Sequence, residues 1–148
     1  MISVITKLIR GNLVLRRTLR IVYTRIISKL FNFYNIHPTA YLKSISNISR
    51  DISMGRFSYV GPRTSVCSNV CVGDFTMISH DVRIIHNDHP YDNIGIPMIF
   101  SGRPFCHERF TMIGTDVLVG AGSIIISGVT IGDCVVVGAG SIVTSDLP

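Results

Sequence analysis

The sequence has 148 residues, of which 47% are hydrophobic and 16% are charged, so it suits one folded domain and excludes a disordered chain. Its net charge of +5 is unevenly distributed. Residues 1–35 hold seven basic residues and no acidic residue, whereas residues 36–148 hold seven basic and nine acidic residues. The sequence therefore predicts a basic N-terminal segment attached to a nearly neutral body.

Residue spacing argues against several classes of protein. A membrane-spanning helix needs about 20 consecutive apolar residues, and the longest uncharged stretch of the body, between Asp116 and Asp133, is shorter and is broken by glycines. Lys7 and Arg10 interrupt what would be the apolar region of a secretory signal. The four cysteines contain no C-x-x-C pair, so neither a zinc site nor a disulfide framework is indicated. We expect a cytoplasmic protein.

The N-terminal segment, residues 1–35, is predicted to form a basic amphipathic helix that would break at Gly11 and Asn12. Its apolar residues at helical spacing are Leu15, Leu19, Val22, Ile26, Leu30 and Phe33. One role is a cap over the open edge of the body, and another is peripheral contact with the anionic inner face of a membrane. We favour the cap, with membrane contact as a second role. Nucleic acid is disfavoured, because the body offers no basic face with interleaved aromatic residues.

From Ile36 onward the body has an apolar residue at every sixth position. The first run comprises Ile36, Leu42, Ile48, Met54, Val60, Val66, Val72, Ile78 and Ile84, and the second comprises Ile113, Val119, Ile125, Ile131, Val137 and Val143. A period of six fits neither a helix face nor an alternating strand. It indicates a coil with flat faces six residues long, in which one apolar side chain per face points inward and glycine or another turn former bends each corner.

The sequence Gly-Ala-Gly-Ser occurs at residues 120–123 and again at 138–141, three periods of six later. Three periods make one circuit of three faces, so equivalent residues should stack at the strand spacing of about 4.8 Å. Stacked coils would bury a continuous apolar prism, with about three coils in residues 36–89 and about two in 112–148.

The repeat is interrupted between Ile84 and Ile113, because the separation of these two inward positions is not a multiple of six. We therefore predict a protruding loop at residues 86–112, and long excursions of this kind are often functional. Its apolar residues include Ile96, Met98, Ile99 and Phe100. They either pack on their own prism or wall a pocket against a neighbouring subunit, and we favour the second arrangement.

The stretch IGTDVLVGAGSIIISGVTIGDCVVVGAGSIVTSDLP (113–148) resembles the hexapeptide-repeat acyltransferases, especially their sugar and xenobiotic O-acetyltransferase branch. The stretch DHPYDNIGIPMIFSGRP (88–104) resembles that branch's catalytic loop. The resemblance implies an all-β fold, a left-handed parallel β-helix, and periodicity alone could not give this handedness. It also implies a homotrimer with acetyl-CoA bound between adjacent prisms.

Transfer of an acyl group from a thioester to a hydroxyl needs a base, donors for the oxyanion and aligned substrates. We assign the base to His89, because histidine titrates near neutral pH and His89-Pro90 resembles the family's catalytic segment. His86 is the rival base. Asp92, Asp88 or a backbone carbonyl could accept a hydrogen bond from the other ring nitrogen, and we include Asp92 in the candidate catalytic site.

The resemblance also implies residues that bind the coenzyme. Gly120, Ala121 and Ala139 would line the pantetheine arm, the Ala121 N–H is a candidate oxyanion donor, and Thr144 would lie near the nucleotide. The family often has lysine where this chain has Ser145, which puts one phosphate contact in doubt. A related zinc enzyme with the same prism needs three histidines from adjacent coils; the second run contains none, so we expect no metal.

These observations lead us to expect an acetyl-CoA-dependent O-acetyltransferase for a sugar or polysaccharide hydroxyl, acting by direct transfer. An acetyltransferase for an amino sugar or an antibiotic is one alternative. A trimeric β-helix scaffold without catalytic activity is the other.

Overall fold

The computed structural model of the protein describes residues 12–43, 45–86, 93–102 and 110–148. Within these ranges the chain begins with helix α1 (Leu13–Phe31) and continues through fourteen short strands. One 3-10 turn, Met98–Phe100, lies in the loop that separates the two runs of the repeat. The predicted combination of an N-terminal helix and an all-β body is confirmed.

The strands form three parallel sheets, and the chain visits the sheets in turn. The first sheet contains β1 (Asn35–Ile36), β3 (Ser53–Met54), β6 (Val70–Val72), β9 (Thr111–Ile113) and β12 (Thr130–Ile131). The second contains β2 (Tyr41–Leu42), β4 (Tyr59–Val60), β7 (Met77–Ile78), β10 (Leu118–Val119) and β13 (Val136–Val137). The third contains β5 (Ser65–Val66), β8 (Arg83–Ile85), β11 (Ile124–Ile126) and β14 (Ile142–Val143). The body is therefore a three-sided prism. We call the turns that follow strands of the first sheet the first corner, and the turns that follow strands of the second and third sheets the second and third corners.

The strand register confirms the predicted circuit of three faces. Tyr41 pairs with Tyr59, and Tyr59 pairs with Met77, so each step up the stack spans three periods of six. Across the loop, Arg83 pairs with Ile124, although the whole loop lies between them in the sequence. The loop thus enlarges one coil and leaves the pairing above and below it continuous.

The predicted inward residues form one continuous core. All residues of the two apolar runs are buried except Ile36, which is half-buried. Small polar side chains also point inward at some corners, where they bond to the backbone. The Thr76 hydroxyl donates to the Gly114 carbonyl at 2.6 Å, and the Ser123 hydroxyl donates to the Gly138 carbonyl at 3.0 Å. These bonds satisfy polar groups that would otherwise be buried without a partner.

The glycines that follow the inward residues require a correction. We expected them to bend the corners, but the left-handed backbone lies two residues later, at Phe57, Arg63 and Phe75 for example. Glycine is needed instead for close stacking. A Cβ atom at Gly120 would lie 2.4 Å from the Ala139 nitrogen in the next coil.

Helix α1 begins after Asn12, whose side chain accepts a hydrogen bond from the Leu15 N–H at 3.1 Å, and ends at Asn32 in the left-handed conformation. The helix packs on the first coil. The buried Thr24 hydroxyl donates to the Ala40 carbonyl at 2.7 Å, and Phe33 joins the core. These contacts agree with the cap that we favoured.

The side of the helix that meets the prism differs from the expected apolar line. Of that line, Phe33 is buried, while Leu19, Val22, Ile26 and Leu30 are exposed. The prism instead contacts Thr24 and the half-buried Ile27. Among the described helices, none is long and apolar enough to cross a membrane.

Candidate functional site

The predicted base His89 lies outside the described residues, as do Asp88 and Asp92. The loop residues that are described, 93–102, lie almost entirely in solvent. Their apolar side chains are exposed, from 51% for Ile96 to 100% for Ile94. The arrangement in which Ile96, Met98, Ile99 and Phe100 pack on their own prism is therefore wrong for these residues.

The rival base His86 sits at the root of the loop, in the third corner of the prism. Its Nε2 lies 3.0 Å from the Ser68 hydroxyl one coil below, and its buried Nδ1 has no hydrogen-bond partner among the described residues. Asp51 belongs to the same corner. Burial raises the pKa of its carboxyl, but hydrogen bonds from Ser49 and the Asn69 N–H outweigh burial and hold that pKa below its usual value. His86 is thus held within a stack of polar corner residues.

Three of the predicted coenzyme residues lie together at the second corner. The Gly140 N–H donates to the Ala121 carbonyl at 2.8 Å, and the Gly122 N–H donates to the His80 carbonyl at 3.1 Å. These bonds join the corner that contains Gly120 and Ala121 to the second corners of the coils on either side. Within the described part of the chain, the N–H groups of Ala121 and Ala139 have no acceptor. The corner therefore offers two N–H donors, one above the other, beside side chains no larger than a methyl group.

Thr144 is separated from this corner. It is exposed and follows β14, so it lies at the third corner, across the third sheet from Ala139. The outer surface between the two corners carries Ile142, Ile124 and Arg83, which pair in register. The predicted coenzyme residues thus border one outer face of the prism, and the described residues of a single chain do not close a pocket around them.

Two residues of this region were missed as site candidates. Arg83 is exposed on that outer face and forms no ion pair with the described residues. The pairing of Arg83 with Ile124 could not be predicted from the sequence, because the loop enlarges one coil and the separation of the two residues is no longer a multiple of six.

The second of these residues is His80, whose side chain is 54% exposed. The His80 carbonyl accepts a hydrogen bond from the Gly122 N–H, so His80 lies one coil from Ala121, whose N–H has no acceptor among the described residues. Its Nδ1 lies 2.7 Å from the Asp81 carboxylate, which Arg63 also contacts through two nitrogens. The Arg63 guanidinium, with His80, holds the pKa of Asp81 far below its usual value. An oriented imidazole therefore lies beside the candidate coenzyme corner.

Residues 110–145 match the family model of the bacterial transferase hexapeptide (six repeats). The chain is also similar to two curated proteins called bifunctional protein GlmU. That of Heliobacterium modesticaldum is 30% identical over 115 residues, covering 70% of this chain and 25% of the relative. That of Corynebacterium efficiens is 28% identical over 117 residues, covering 71% and 24%. The chain therefore spans about a quarter of the length of these relatives.

Solved structures share the fold. A maltose O-acetyltransferase from Clostridium difficile 630 matches with a TM-score of 0.56 and 25% identity, over 88% of this chain and 79% of that chain. A serine acetyltransferase from Brucella abortus strain S19 matches with a TM-score of 0.51 and 22% identity, over 68% and 35%, and shows the fold alone. The chain is a hexapeptide-repeat protein with a left-handed parallel β-helix, and both of these structural neighbours are acetyltransferases.

Proposed function

We propose that the protein is an acetyltransferase that transfers the acetyl group of acetyl-CoA to a hydroxyl of a sugar or polysaccharide. The observation that carries the proposal is the second corner, where the N–H groups of Ala121 and Ala139, which no described residue accepts, stack beside small side chains. A thin pantetheine arm with its own amides matches such a surface. The similarity to a maltose O-acetyltransferase, which covers 88% of this chain, supports transfer to a sugar hydroxyl.

In the proposed reaction His89 takes the proton of the acceptor hydroxyl as its oxygen attacks the thioester carbonyl. A carbon–oxygen bond forms, and the resulting oxyanion accepts a hydrogen bond from the Ala121 N–H. The carbon–sulfur bond then breaks, and the proton held by the imidazole passes to the departing CoA thiolate. The products are the acetyl ester and CoA, with no covalent intermediate on the protein.

The active unit in this proposal is a homotrimer. The candidate coenzyme residues Ala139 and Thr144 are exposed on one wall, and the loop residues Ile99 and Phe100 are 79% and 77% exposed. A neighbouring prism would supply the second wall of the groove and cover these apolar side chains. An amino sugar or an antibiotic is the alternative acceptor, and a scaffold without activity is the alternative function.

The test is release of CoA thiol from acetyl-CoA in the presence of a panel of sugars. We expect His89→Ala to lower kcat by about a hundredfold to ten-thousandfold, the usual contribution of a general base. His80→Gln is the matched control, because it removes the oriented imidazole that lies beside the same corner. Loss of activity in His80→Gln alone would move the base to His80.

Two further results bear on the function itself. Ala121→Val would place a larger side chain beside the Ala121 N–H that is proposed to meet the coenzyme, so we expect weaker acetyl-CoA binding. If the wild-type protein does not bind acetyl-CoA, the enzyme proposal fails and the scaffold is favoured.

A further inference from the structure

Helix α1 presents an exposed apolar stripe, the middle of which lies on the side opposite to the prism. The stripe consists of Leu19, Val22, Ile26 and Leu30, which are 44%, 47%, 52% and 70% exposed. Thr24, which bonds to the prism, is 4% exposed. At about 100° per residue, Val22 and Ile26 each lie about 200° around the helix from Thr24. Val22 and Ile26 therefore point away from the body, whereas Leu19 borders a groove that Tyr41 and Met77 line on the prism. The stripe runs along most of the helix.

Cationic side chains border this stripe. Lys29 and Arg25 lie along one edge, and Arg16 lies along the other, at the helical spacing of about 100° per residue. All three are exposed. Residues 1–35 contain no acidic residue that could neutralise them. The surface thus combines exposed apolar area with uncompensated positive charge.

We infer that this face of helix α1 binds the surface of an anionic lipid bilayer. The helix would lie in the plane of the membrane, with the stripe at the boundary between headgroups and acyl chains and the basic residues among the phosphates. Burial of apolar area and attraction to anionic lipids both strengthen such binding. The inference is independent of the proposed catalytic activity.

Charge favours this occupant over two others. A second copy of the helix would bring Arg25 and Lys29 close to the same residues of its partner, with no acid on either helix to pair with them. Residues 1–11 of the same chain carry Lys7 and Arg10 and no acidic residue, so packing them on the stripe would also join like charges. An anionic bilayer offers acyl chains to the apolar stripe and phosphates to the basic residues along its edges.

The test is flotation of the full chain with vesicles of phosphatidylcholine mixed with phosphatidylglycerol, compared with phosphatidylcholine alone. We expect the wild type to float with the anionic vesicles and to be released by high salt. Val22→Ser combined with Ile26→Ser should weaken binding by about tenfold or more, because apolar area is lost. Arg25→Gln combined with Lys29→Gln should weaken it by about 25-fold, at about fivefold for each charge.

Two double variants on the prism and loop serve as matched controls. Arg50→Gln with Arg83→Gln removes the same charge from exposed positions of the prism. Ile94→Ser with Ile99→Ser removes exposed apolar side chains from the loop. Both should bind vesicles as the wild type does, and all variants should give the wild-type circular dichroism spectrum.

Three results would overturn the inference. The wild type could fail to float with anionic vesicles, or the stripe variant could bind them as well as the wild type. The third result combines two measurements: the wild type does not float with vesicles, and sedimentation equilibrium shows that Val22→Ser with Ile26→Ser lowers the mass of the oligomer. In that case a second copy of the chain covers the stripe.

Discussion

Most glycines that follow the inward residues are required by lack of space for a side chain and not by backbone conformation. A Cβ atom at Gly120 would lie 2.4 Å from the Ala139 nitrogen, whereas one at Gly138 would meet no atom closer than 3.6 Å. Both glycines open the same Gly-Ala-Gly-Ser sequence, so they form a matched pair. The difference arises because a described coil stacks on Gly120 at this corner and none stacks on Gly138.

We predict that Gly120→Ala lowers the free energy of unfolding by about 1–3 kcal/mol, because the added methyl forces adjacent coils apart. Gly138→Ala should change it by less than about 1 kcal/mol, with any gain coming from the reduced entropy of the unfolded chain. Urea unfolding of both variants measures the difference. Equal losses would mean that glycine is needed at these positions for another reason.

The inward residues could be predicted individually, but the left-handed corner residues could not. A period of six identifies Val119 and Ile125 because apolar side chains must fill the prism at every face. The left-handed positions include Phe57 and Phe75, which are not turn-forming residue types. Their rings stack at 5.6 Å across adjacent coils, and this contact offsets the cost of the backbone conformation.

At the scale of elements, corners of adjacent coils are joined by pairs of residues one circuit apart. Asp74 accepts a hydrogen bond from the Arg56 N–H at 2.5 Å and forms an ion pair with the Arg56 guanidinium at 2.6 Å. Asp133 holds the equivalent place two coils later and accepts from the Thr115 N–H at 2.6 Å, where no arginine is present. The two aspartates differ mainly in the ion pair.

The Asp74 pair predicts a pH-dependent stability. The hydrogen bond from the Arg56 side chain is the main reason that the pKa of Asp74 lies below its usual value. Because the folded-state pKa is the lower one, the stabilisation is complete above the unfolded pKa of about 3.9 and is lost as the pH falls through the folded value. Asp74→Asn should therefore lower the unfolding midpoint at pH 7, and its difference from the wild type should shrink below about pH 4.

Asp133→Asn provides the comparison for that measurement. It keeps an acceptor oxygen for the Thr115 N–H and disrupts no ion pair with a described arginine, so its midpoint should differ less from the wild type at pH 7. A loss as large and as pH-dependent as that of Asp74→Asn would show that the ion pair is not the cause.

Helix α1 shows what amphipathic spacing predicts and what it does not. The apolar line through Val22 and Ile26 predicted a helix, and the helix is present from Leu13 to Phe31. Spacing could not show which side meets the body, because both sides carry apolar residues together with arginines. The buried Thr24 hydroxyl bonds to the carbonyl of Ala40 on the first coil, and that tertiary contact decides the orientation.

At the scale of the whole molecule, the prism and the loop are separate contributions to the candidate site. Strand β8 pairs directly with β11 on the far side of the loop, so the sheet passes beneath it without interruption. The repeat made the prism predictable, because each coil repeats the same packing. The loop has no repeat, so its geometry and the acceptor that it would shape could not be predicted.

This continuity predicts that the loop can be removed without loss of the prism. Deletion of residues 87–109 returns the enlarged coil to the ordinary circuit and leaves His86 and Phe110 where Ser68 and Asn69 lie in the previous coil. Asn69 has a φ of 60°, so Phe110→Asn should accompany the deletion, since asparagine tolerates this conformation. We expect a cooperative unfolding transition and a β-type circular dichroism spectrum, with acetyl transfer abolished because His89 is absent.

The same deletion with Phe110 retained should be less stable by about 1 kcal/mol, the cost of a left-handed bulky residue. An unfolded product from both deletions would mean that loop residues help to hold the coils together.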